Sequence, residues 1–157
     1  MKKLIITLLL SVMGSAQAAD ATLLERALRC ELKDGELARL MPGLAAQDKG
    51  FAKPAASGGA PSYDLYRLAG SASAHGYSGA EVLVMPATIA LVVDGKPLAS
   101  AVQALRLEGD GYSPAMRAVR PGANILAFQL SSLSNKLLVG CRYEHGAAGA
   151  WVKGFSF

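Results

Sequence analysis

Cys30 and Cys141 are the two cysteines of this 157-residue chain, and their separation constrains its fold more than any other feature. In an oxidising compartment an isolated pair of this kind forms a disulfide. Any fold that accommodates it must bring the start of the chain beside its end. Closing a loop of about 110 residues removes unfolded-state entropy worth on the order of 4–5 kcal/mol in the chain-entropy model. A metal site is not the expected use of these thiols. There is no Cys-x-x-Cys, and His75 and His145 lie far apart in the chain.

The compartment follows from the first residues. Met1-Lys2-Lys3 is a short basic start, and Leu4–Met13 is an apolar run interrupted by Thr7 and Ser11. Ala16-Gln17-Ala18 then supplies the small residues of a cleavage site, so residues 1–18 are expected to be a secretory signal peptide removed near Ala18. The run is shorter than the roughly 20 residues that span a bilayer, and no cysteine follows the cleavage site for lipid attachment. The expected location is periplasmic or secreted, with residues 19–157 forming a single globular domain and no membrane span in the mature chain.

Charge argues against a nucleic-acid partner. Of 16 basic residues, Lys2 and Lys3 leave with the leader, which brings the mature balance close to the 12 acidic ones. No Lys/Arg run is interleaved with aromatics. At 52% hydrophobic, the chain has enough apolar residues for a packed core.

Periodicity then sets the fold class. Thr22-Leu23-Leu24-Glu25 has the form of a capping box. Leu23, Leu24, Ala27, Leu28, Cys30 and Leu32 follow at helical spacing, with Glu31 intruding on that face. Asp34 can cap a second helix carrying Leu37, Leu40 and Met41, which Pro42-Gly43 is expected to end. Residues 45–62, with "KPAASGGAPS", read as a flexible loop containing the lone aromatic Phe51.

Beyond Tyr63 the period changes. Strands are expected at Tyr63–Leu68, Glu81–Met85, Thr88–Val93, Asn124–Leu130 and Lys136–Tyr143, where short apolar runs are bounded by turn residues. Leu98, Ala101, Val102 and Leu105 have helical spacing, and "EGDGYSPAMRAVRPG" (108–122) reads as a loop. The whole predicts an α+β fold, with two short N-terminal helices packed on an antiparallel sheet of about 4–6 strands and one further short helix near 97–105. Cys30 would tie the first helix to the last long strand. The end, "WVKGFSF", reads as a final strand that packs Trp151 and Phe155 on the core; Lys153 spoils the alternation of a barrel strand ending at Phe157.

Catalytic motifs are weak. In "SAHGYSGAE" (73–81), Ser78 lies in Gly-Tyr-Ser-Gly, whose second glycine comes one place early for a nucleophile elbow, and a strand follows rather than a helix. A loop is the expectation for His75 and Ser78. The carboxylates Glu81, Asp94, Glu108, Asp110 and Glu144 sit at turns and strand ends with nothing in the sequence to pair them. Gly109-Asp110-Gly111 lacks the further oxygen ligands of a calcium loop.

Tyrosines are more suggestive of recognition, because their rings combine contact area with a polar tip. Tyr63, Tyr66, Tyr77 and Tyr112, with His75, are the candidate partner-binding residues. The chain therefore reads as an exported binding or interaction protein of inhibitor, immunity or envelope-assembly type, without catalysis, cofactor or metal. Its expected partner is another envelope or secreted protein. The competing reading is a small envelope hydrolase whose site is scattered through the fold.

Overall fold

The structure, a computed structural model, describes residues 23–47, 49–59, 61–110 and 113–152. The expected leader (residues 1–18), Thr22, Tyr112, Lys153, Phe155 and Phe157 lie outside the described residues. Four short helices come first: α1 (23–28), α2 (Asp34–Leu37), α3 (Leu40–Gln47) and α4 (Lys49–Ala52). Strands β1 (Ala56–Gly58), β2 (Tyr63–Ala74), β3 (Tyr77–Met85) and β4 (Thr88–Asp94) follow. After α5 (Leu98–Leu105) come β5 (Ala115–Arg120), β6 (Ala123–Phe128), β7 (Lys136–Tyr143) and α6 (Gly146–Gly149). The seven strands form one antiparallel sheet in the order β1-β2-β3-β4-β7-β6-β5. No helix among the described residues is long and apolar enough to cross a membrane.

Several expectations are corrected. Pro42 does not end a helix: α3 runs through it, because Pro42 occupies the first turn, where its missing N–H is not needed. The Gly43 N–H still reaches the Arg39 carbonyl at 2.8 Å. Lys33, not Asp34, stands at the N-cap of α2, and its N–H donates to the Glu36 carboxylate at 2.8 Å. The stretch 45–62 is not an unstructured loop. Phe51 stacks on Tyr66 with centroids 4.4 Å apart, which fixes α4 against β2 and lets β1 pair with Tyr63–Leu65. The sheet has seven strands, since β1 and β5 lay hidden in presumed loops. After β7 the chain turns into α6, and Trp151 lies in the turn that follows it; the rest of the expected final strand lies outside the described residues.

Register divides the sheet into two faces. The helix-side face carries Tyr66, Val82, Val84, Ile89, Leu91, Val139, Cys141 and Tyr143, which join Leu24, Leu28, Leu32, Leu37 and Leu40 in the main core. The far face holds a second apolar cluster around Leu65, Leu83, Leu126, Phe128 and Leu138. The Tyr63 hydroxyl comes within 3.4 Å of Ser132 in the β6–β7 connection, so the sheet curls enough for β2 to meet that loop. With both faces covered, β4 is buried from Thr88 to Val93, which is why it reads as an unbroken apolar run.

The disulfide between Cys30 and Cys141 is formed, with Cα atoms 5.2 Å apart. Side chains from the sheet and the C-terminal segment donate to backbone carbonyls on either side of Cys30 and at Cys30 itself. The Tyr143 hydroxyl donates to the Ala27 carbonyl at 2.8 Å, and Arg120 Nε donates to that of Cys30 at 3.1 Å. A second Arg120 nitrogen reaches the Leu32 carbonyl, and Trp151 Nε1 donates to that of Leu37 at 2.8 Å. The N-terminal helices are thus held by a covalent bond and a row of hydrogen bonds.

Candidate functional site

The most irregular part of the sheet is the β2–β3 hairpin. Arg67 pairs with Glu81, but the next pair is Ala72 with Gly79. Four residues, Leu68–Ser71, therefore stand opposite Ala80 alone, a wide bulge that forces the hairpin to bend. The β3–β4 pairing stops at the same level, at Glu81 and Val92. Beyond this corner the hairpin's outer half leaves the sheet and folds over α1. Ala72 and Ala74 enter the main core there, with Tyr77 packed against it. A Cβ built on Gly79 would stand 2.3 Å from the Val92 carbonyl oxygen, so the crossing requires glycine.

"SAHGYSGAE" is the tip of this hairpin. Ala74 pairs with Tyr77, and His75 and Gly76 both have positive φ, 54° and 82°, as a two-residue type I′ turn requires. The His75 ring rests on α1, with Nε2 2.9 Å from the Leu28 carbonyl oxygen. Burial, chiefly, lowers its pKa below the ordinary histidine value. Ser78 Oγ lies 2.7 Å from Ser73 Oγ. His75 Nε2 is thus engaged with backbone, and the Ser78 hydroxyl with a second hydroxyl. Glu25 on α1 accepts the Ser73 N–H at 3.3 Å, and Arg29, in the turn just after α1, donates to the Ser73 carbonyl at 3.4 Å, so two side chains cover the outer edge of β2.

On the outside of the corner lies a notch of about 270 Å³ lined by Arg67, Leu68, Ala80, Glu81, Val92 and Asp94. Its floor is apolar and its rim is charged. Arg67 Nε meets Glu81 Oε1 at 3.4 Å, and Glu81 Oε2 lies 4.0 Å from Lys136 Nζ. Lys136 in turn binds Asp94, and that hydrogen bond holds its ammonium above the usual lysine range. The charges alternate, positive and negative, across β2, β3, β7 and β4.

The sequence-predicted residues are placed as follows. Tyr63 and Tyr66 are core residues: Tyr66 stacks on Phe51, and Tyr63 belongs to the far-face cluster. Their rings do not form an exposed rim, because the same amphipathic ring that suits an interface also suits a sheet's interior. Tyr77 is half-buried and His75 part-buried at the hairpin tip; Tyr112 lies outside the described residues. The structure brings Glu81 and Asp94 onto one lysine, a pairing the sequence analysis did not find. Its signal is strand register, which composition does not reveal. Among the described residues no cluster of His, Cys, Asp and Glu is placed to hold a metal ion. Comparison with protein-family models, with curated proteins and with solved structures yields no match.

Proposed function

We propose that the chain is an exported binding protein of the periplasm or the cell exterior that engages another envelope or secreted protein, without catalysis of its own. One observation carries the reading: the bulged corner of the β2–β3 hairpin opens a notch between Leu68, which packs against the main core and is partly exposed, and a charged rim. Bulges of this kind re-aim side chains at functional surfaces. Elsewhere, among the described residues, Val119 is the one large hydrophobic residue left exposed, so no broad apolar patch competes with the notch. The leader at residues 1–18 and the disulfide fit an exported protein, and the engagement of His75 with Leu28 argues against the hydrolase reading.

The test is capture from envelope extract by immobilised mature chain, residues 19–157, against Leu68→Asp as bait. Leu68 is partly buried and packs against the main core, so the fold of the variant is checked by circular dichroism before capture. The reading expects a partner retained by the wild type and lost by the variant. Recovery of nothing by the wild type, or of the same protein by both, contradicts it.

A further inference from the structure

A salt-bridge ladder on a flat sheet is a solvated surface whose ion pairs stabilise little. The ladder here differs in bounding a cavity, with Leu68, Ala80 and the nearly buried Val92 beneath it. It also has unequal members. Glu81 lies between Arg67 and Lys136, and Lys136 lies between Glu81 and Asp94. The end members, Arg67 and Asp94, each have one partner in the ladder and are the most exposed, at 78% and 82%. The notch thus shows an exposed positive end on β2 and an exposed negative end on β4, each held by a single partner.

Resting on the proposal that this notch is a binding surface, we infer that its occupant is an extended peptide segment of the partner protein carrying one acidic and one basic residue four positions apart, on the same face of the segment. The spacing follows from geometry. β2 and β4 lie two strand spacings apart, about 9–10 Å. Asp94 stands two residues beyond the row of Arg67, Glu81 and Val92, so the two ends are about 12 Å apart. At about 3.3 Å per residue, positions i and i+4 of an extended chain span that distance and share one face. A carboxylate on Arg67 and an ammonium or guanidinium on Asp94 then leave the intervening residues over the apolar floor. A cavity near 270 Å³ holds one or two side chains, the scale of an interface anchor. A segment with two like charges would meet repulsion at one end.

The probe is a capped hexapeptide with glutamate and lysine four positions apart and valine midway between them, titrated into the mature chain while methyl signals of Leu68, Ala80 and Val92 are followed by NMR. Saturable shifts at those methyls are expected in the millimolar range, with affinity about tenfold lower for the Gln/Gln peptide. Arg67→Glu should reverse the preference, favouring a Lys/Lys peptide over the Glu/Lys one. Arg67→Gln, a milder change, should lower affinity for the Glu/Lys peptide without the reversal. Absence of saturable shifts, shifts at other residues, or equal affinity for charged and Gln/Gln peptides overturns the inference. A partner captured equally by wild type and Arg67→Glu but lost by Leu68→Asp also rejects the charge-matched occupant while leaving the binding function intact.

Discussion

Gly79 packs against the carbonyl oxygen of Val92 with no room for a side chain. A Cβ at Gly79 would come within 2.3 Å of that backbone atom, and one at Gly140 within 2.0 Å of the Ile89 carbonyl oxygen. Backbone in a buried central strand cannot yield as a flexible side chain does. Gly79→Ala and Gly140→Ala should each cost about 3 kcal/mol or more in chemical denaturation, at or beyond the upper end of overpacking penalties. Gly70→Ala, with nothing within 4 Å of its added Cβ, should cost less than about 1 kcal/mol. Equal stability of Gly79→Ala and Gly70→Ala would show that the corner is not built as described.

The disulfide makes a second prediction. Cys30→Ser or Cys141→Ser should destabilise the protein by about 2–5 kcal/mol. The hydrogen bonds from Tyr143, Arg120 and Trp151 should still dock the N-terminal helices, so the reduced chain should keep its sheet by circular dichroism. Thiol labelling of the unfolded, unreduced protein should find no free cysteine; two labelled thiols would refute the bond.

Tyr143→Phe isolates one of those hydrogen bonds. The hydroxyl donates to the Ala27 carbonyl and accepts the Leu32 N–H at 3.4 Å, both in the core. Leaving buried groups without that partner should cost about 1–3 kcal/mol, with little change in shape. In the wild type, burial pushes this phenol up to about 12, so a spectroscopic titration should show one tyrosine ionising late.

His75 gives a pH dependence whose sign is fixed. Burial lowers its folded pKa, while the unfolded chain titrates near 6.5. Between those values the unfolded state binds more protons, so stability is full above about pH 6.5 and falls as pH drops toward the folded pKa. Arg29 and Arg117 reinforce the shift, while Glu31 and the bond to Leu28 oppose it. His75→Asn, which tolerates the left-handed turn, should flatten the stability curve between about pH 7 and pH 5. Parallel curves for the two proteins would contradict this. A fluorophosphonate probe should leave Ser78 unmodified, and stoichiometric labelling lost in His75→Ala would restore the hydrolase reading.

How much was legible follows from what each residue type reports. β4 and β7 are visible as dense apolar runs because both their faces are buried, and α5 because Leu98, Ala101, Val102 and Leu105 repeat at helical spacing. β5 was hidden because Arg117 and Arg120 break its pattern, yet these arginines leave the edge strand to bond the Leu105 carbonyl and those of Cys30 and Leu32. β1 owes its form to pairing with β2, and its own Ala-Ser-Gly has no strand preference. The notch was illegible for the same reason. Arg67, Glu81, Asp94 and Lys136 come from four strands, and only register sets them side by side.

The central claim is that the hairpin corner meets a partner while the tyrosines beside it hold the fold. It is tested most directly by measuring melting temperature and affinity for the captured partner in Leu68→Asp and Tyr66→Ala. Leu68 also touches the main core, so Leu68→Asp should melt lower, but its folded fraction should lose affinity about thirtyfold, as for a central interface contact. Tyr66→Ala should melt much lower, while its folded fraction binds normally. If Leu68→Asp binds as tightly as the wild type, or if Tyr66→Ala keeps its stability and loses the partner, the corner is not the binding surface.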